Sequence, residues 1–93
     1  MDIFYTHPQE RQAMHELGVL TQALKRVQRA AEENGIRRVK HITLEVGESS
    51  GFVCAYFMKL HPAARDLFPA LKKAELHLVT VPGSSLRIKD MAY

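Results

Sequence analysis

Apolar residues recur at steps of three and four from Leu17 through Leu20, Leu24 and Val27 to Ala31, while Gln22, Lys25, Arg26, Arg29 and Glu33 fall on the other faces. That spacing predicts an amphipathic helix with its stripe turned to a core. Asn34-Gly35 closes it, because both residue types tolerate the left-handed conformation, and Arg29 is placed to complement the negative end of the helix dipole. The period then changes to two. Over residues 39–46, Ile42, Leu44 and Val46 point one way and His41, Thr43 and Glu45 the other. This is a half-buried strand with His41 on its exposed face. Gly47-Glu48-Ser49-Ser50-Gly51 breaks the pattern, and its hydroxyls are candidate caps for a following helix.

Residues 52–71 are apolar and read as helical, with Phe52, Tyr56, Met58 and Leu60 in the first half and Leu67, Phe68 and Leu71 in the second. Pro62 removes an N–H and obstructs the preceding turn, so a kink, or two short helices meeting at His61, is expected. Cys54 reads as a small buried hydrophobe rather than a reactive thiol, and Met58 as core rather than ligand. Leu76, Leu78, Val79 and Val81 mark a second strand over residues 74–81, Pro82-Gly83-Ser84-Ser85 is a turn, and Leu86-Arg87-Ile88 is a candidate short third strand. The order α-β-α-β gives an α/β (α+β) fold, two main helices packed on a small two- or three-stranded sheet. A helix-length crossover between the first two strands predicts a parallel, right-handed connection.

Composition narrows the function classes. The 93 residues suit one small domain, whose thin core invites support from a metal, a partner or a second copy. Thirteen Lys and Arg against ten Asp and Glu leave a charge of +3. The basic residues Lys25, Arg26, Arg29, Arg37, Arg38 and Lys40 spread over a helix, a turn and a strand, so a solvated face explains them better than a nucleic-acid surface. Cys54 is the single cysteine. An intrachain disulfide is therefore impossible, and a cytoplasmic setting is expected. No apolar run approaches a membrane span and no signal peptide is evident. Nothing suggests an enzyme: there is no nucleophile elbow and no phosphate loop, and Glu45 and Glu48 have no spacing that marks an acid and base pair.

The candidate chemistry lies at Met14-His15-Glu16-Leu17, where a polar leader, residues 1–13, joins the long helix. Pro8 drives His7 towards an extended conformation, and Ile3, Phe4 and Tyr5 suit a short arm. Met14 is itself a candidate start. On this reading His15 sits at a helix mouth, where the first N–H groups have no intrahelical partner. One interpretation is a surface histidine near a helix start. The other is an imidazole acting with neighbouring main-chain nitrogens, a donor set suited to square-planar Ni(II) or Cu(II).

The sequence of motifs adds to this. Met14-His15-Glu16-Leu17 opens a helix, Val46-Gly47-Glu48-Ser49-Ser50-Gly51 ends a strand, a helical segment follows, and Ala74-Glu75-Leu76 leads to Val81-Pro82-Gly83. Together, over residues 14–91, they resemble the HypA/HybF family of nickel-insertion accessory proteins for nickel-iron hydrogenase maturation. The resemblance implies that residues 14–93 form a nickel-binding-type domain. It also implies that His15 binds Ni(II) with the backbone amides of His15 and Glu16, while Glu16 shapes the site, and that a HypB-type GTPase and the hydrogenase large subunit are the partners. Two departures stand out. Leu86-Arg87-Ile88-Lys89-Asp90-Met91 occupies the place of a stretch of the form LRCxDC, so Ile88 and Met91 replace the first cysteine pair of the family's zinc domain, and zinc is not expected. With that domain go a returning strand and a histidine of the family's nickel site. The leader, if retained, leaves Met14 without a free amine, and a fourth donor would come from His7, His41, His61, His77 or a partner. The alternative function is a non-enzymatic interaction or structural subunit that has lost metal transfer and associates with hydrogenase, or with itself through an open sheet edge.

Overall fold

The computed structural model describes residues 8–93, so Ile3, Phe4, Tyr5 and His7 lie outside the described residues. The first helix, α1 (Pro8–Glu33), starts well before the predicted Leu17. Proline suits the first helical position, where its missing N–H would be unpaired anyway, and Gln9 to Ala13 are all good helix formers. His15 therefore lies about two turns inside α1 rather than at its mouth. Its backbone and that of Glu16 take part in the helix ladder.

The other end matches the expectation closely. Gly35 takes the left-handed conformation at φ 66°. The Ile36 N–H reaches Ala31 O at 2.8 Å and the Gly35 N–H reaches Glu32 O at 3.2 Å, the paired bonds of a Schellman end. The last turn carries no basic residue, so Arg29 falls one turn short of complementing the dipole.

The buried stripe of α1 is Glu16, Leu20, Ala23, Leu24, Val27 and Ala31, whereas Leu17 is 37% exposed. This stripe packs with Ile42, Leu44 and Val46 of β1 (His41–Gly47), Leu76 of β2 (Glu75–Val81) and Phe57 and Ala64 of α2 (Cys54–Arg65). The sheet order is β2-β1-β3, with β1 and β2 parallel as expected. The third strand, β3 (Leu86–Ala92), runs longer than predicted and pairs antiparallel with β1, from His41 opposite Ala92 to Val46 opposite Leu86. A full third strand is therefore present, which removes the truncated-sheet premise of the structural-subunit alternative. Ile88 and Met91 pack against the core from β3.

Residues 52–71 do not divide at His61. The α2 helix runs through Pro62 to Arg65, and a single 3-10 turn (Pro69–Leu71) follows. Its buried face is Phe57, His61 and Ala64, a polar residue completing an i, i+4, i+7 stripe. That periodicity turns Met58 (49%) out to solvent, contrary to the core position expected for it, and Leu67 (66%), in the turn after α2, is exposed as well. Cys54 is only partly buried, packed at the margin of the core.

His61 is 4% exposed and its Nε2–H donates to Ala74 O at 2.8 Å, a carbonyl that also receives Arg65 Nη1 at 2.9 Å. Burial pushes its pKa below the ordinary 6.5; the bond to Ala74 O opposes this and the Arg65 cation adds to it. The unfolded chain thus takes up a proton below pH 6.5 that the folded chain resists. Stability present above that value is lost as the pH falls from it towards the depressed folded pKa. Urea midpoints should drop between about pH 7.5 and 5.5, with a shallower drop in His61→Gln. Parallel profiles for the two proteins would contradict this assignment.

Candidate functional site

Glu16 occupies an apolar-stripe position yet carries a carboxylate with no solvent exposure. Such a group needs partners, and it has them on two elements. Gln12, one turn earlier on α1, donates Nε2–H to both Oε1 and Oε2 at 2.9 Å. The Val53 backbone N–H donates to Oε2 at 2.9 Å. Val53 is the N-cap of α2, and no side chain of its own segment caps that helix. Glu16 therefore does from α1 what the glutamate of a capping box does from within a helix, at an end whose dipole favours negative charge. The serines expected to cap α2 act differently: Ser50 Oγ accepts the Phe52 N–H at 3.3 Å, within the loop.

The His15 ring stands beside this carboxylate. Its Nδ1 is 3.2 Å from Glu16 Oε1, and its ring stacks on Phe52 with centroids 5.5 Å apart and planes 18° from parallel. Phe52 in turn leans on the buried Phe57 at 5.6 Å. Since a carboxylate only accepts, Nδ1–H is the donor of this bond, and in the neutral ring the lone pair is then on Nε2. The side chain remains 62% exposed. Gln12 Nε2 also approaches Gly51 O at 3.3 Å. The helix motif and the Gly47–Gly51 loop, separated by more than thirty positions, thus meet as one structure.

The other sequence candidates are elsewhere. His61 is buried and engaged with Ala74. His41 and His77 sit together on the sheet, 5.0 Å between ring centroids, with Glu75 beside them. Among the described residues, that trio is the one set of three His, Cys, Asp or Glu donors clustered closely enough for a metal, so His15 and Glu16 have no third side chain of these types with them. Sequence reasoning did not single out Gln12, Phe52 or Glu75. For Glu16, the available signal was its place four residues before Leu20 on the stripe axis.

A family model described as hydrogenase/urease nickel incorporation, metallochaperone, HypA, matches residues 14–86. The chain belongs to the HypA family. Its role is accordingly that of a nickel metallochaperone in hydrogenase maturation, and the purely structural alternative is not favoured. The match begins at the residue before His15 and stops at the first residue of β3. The fold agrees. The solution structure of the nickel metallochaperone HypA from Helicobacter pylori is similar with a TM-score of 0.75 and 14% identity, over 83% of this chain and 95% of that one. A second solution structure of a HypA protein has a TM-score of 0.62 and 19% identity, over 83% of this chain and 71% of that one. No curated protein matches the sequence. No helix among the described residues is long and apolar enough to cross a membrane.

Proposed function

We propose that this HypA-family chain carries Ni(II) on the exposed Nε2 of His15, with Glu16 as the buried carboxylate that fixes the ring rather than as a ligand. The supporting observation is the Nδ1 to Oε1 contact of 3.2 Å. It orients the ring in the way that carboxylate–histidine–metal arrangements do, with Nδ1 turned to the carboxylate. Both Glu16 oxygens already accept bonds, from Gln12, His15 and Val53, which argues against direct ligation. Deprotonated amides of His15 and Glu16 would join the metal only if the first turns of α1 unwound, because those N–H groups lie inside the helix. A single imidazole holds nickel loosely and leaves the other positions to donors of the receiving protein. That suits delivery more than storage.

The partners on this reading are a HypB-type GTPase and the hydrogenase large subunit, and the setting is the cytoplasm. On this reading a cysteine-based zinc site is not expected: Ile88 and Met91 pack on the core where the resemblance would put the first cysteine pair, and Cys54 is the single cysteine. The test is delivery. Nickel-loaded protein should activate metal-free hydrogenase large subunit, in the presence of the GTPase, beyond an equal concentration of free nickel, and the His15→Ala protein should not exceed free nickel. Equal activation by both proteins would overturn the assignment.

A further inference from the structure

On the sheet face turned away from the helices, the parallel register places His41 opposite Glu75 and Thr43 opposite His77. Side chains of a strand alternate, so His41, Glu75 and His77 all emerge on that face, and the burial patterns of β1 and β2 agree. One oxygen, Glu75 Oε2, faces two imidazole nitrogens: His77 Nε2 at 3.6 Å and His41 Nδ1 at 3.9 Å. The three ligand atoms lie within 4.8 Å of one another. His41 Nδ1 is moreover shut off from solvent with no hydrogen-bond partner. A desolvated ring nitrogen without a partner is unfavourable, and a metal ion between the rings would satisfy it.

We propose that His41, Glu75 and His77 form a site for a borderline divalent transition-metal ion of the zinc or nickel class, separate from His15. Bond lengths of about 2.0–2.2 Å to nitrogen and oxygen put tetrahedral donors about 3.3–3.5 Å apart, so the two separations from Glu75 need to close by a few tenths of an ångström and the His41–His77 pair, within 4.8 Å, by at most about 1.5 Å. Two imidazoles with one carboxylate select zinc, nickel, copper or cobalt over magnesium and calcium, which take oxygen ligands. The same donor set with an open fourth position is familiar from zinc sites that keep a water. Beside His41 and Glu75 is a cleft of about 500 Å³, which they line together with Arg38, Lys40, Lys72 and Lys73. The basic rim favours water or an anionic donor as fourth ligand. Bound metal would tie β1 to β2 across the open face of the sheet.

The site shares no residue with the His15 assignment, so either can fail alone. The test uses the full chain carrying His15→Ala, titrated with Zn(II) alone and Co(II) alone. One equivalent should bind, Co(II) should show the visible absorption of a site below six coordination, and the His41 and His77 ring signals in NMR should move together. His77→Ala and Glu75→Gln, both exposed strand positions, should each lower affinity by more than the about 10- to 100-fold seen for loss of outer-shell partners. Glu45→Gln, on the same face but bonded to Arg87, should change nothing. Binding unaltered by His77→Ala, or ring signals that stay fixed at one equivalent of zinc, would overturn the proposal.

Discussion

Replacing Glu16 with alanine should lower the unfolding free energy by about 2–4 kcal/mol, the range for removing one charged member of a buried hydrogen-bonded network. Four bonds end on this carboxylate: two from Gln12, one from His15 and one from the N-cap N–H of α2. Alanine leaves the Val53 N–H, at the start of α2, without its acceptor. It also frees the His15 ring to rotate, so nickel affinity should fall along with stability. Glu16→Gln keeps the shape and one acceptor oxygen and should lose less than half as much. Urea unfolding with unchanged m-values measures the difference. A loss within about 0.5 kcal/mol, typical of surface substitutions, would mean that the network holds neither helix in place.

The second large effect is expected at Gly47. A Cβ built there would stand 2.5 Å from Gly83 O and 2.8 Å from Ser85 N, both backbone atoms. The turn carrying them is pinned, with Gly47 N–H to Ser85 O at 2.7 Å, Glu48 N–H to Val81 O at 2.8 Å and Ser49 N–H to Gly83 O at 2.8 Å. No flexible side chain can give way. Gly47→Ala should therefore destabilise by at least the about 1–3 kcal/mol of an overpacked core. It should also displace the loop that delivers Phe52 and Val53 to the His15 site, weakening nickel binding without touching a ligand. Gly18→Ala, where an added Cβ meets nothing within 4 Å, is the control and should be neutral or slightly stabilising. Equal midpoints for the two variants would show that the close approach at Gly47 is relieved by movement of the turn.

These two residues show what the sequence made legible. The stripe from Leu20 to Ala31, the Gly35 end and the alternation from His41 to Val46 follow from local periods, and each is found in place. The parallel β1–β2 pair followed from the length of the crossover. What the sequence hid depends on contacts across it. Glu16 breaks a hydrophobic pattern only because its partner, Val53, arrives from 37 positions away. The early start of α1 turned on Pro8, read for its effect on His7 when its more telling property is its fitness for the first helical turn. In α2 the polar His61 belongs to the buried face, and treating that face as purely apolar placed Met58 inside. Glu75 joins His41 and His77 only through strand register, which the sequence does not carry.

Whether the carboxylate-oriented imidazole on α1 holds the nickel is decided by one titration. Ni(II) is titrated calorimetrically into the protein carrying His41→Ala and His77→Ala, which removes the sheet cluster, with and without His15→Ala. One equivalent should bind to the first protein and be lost in the second, while His15→Ala, at a 62% exposed position, should leave the unfolding midpoint nearly unchanged. Equal affinity and stoichiometry in the two proteins would contradict the assignment to His15.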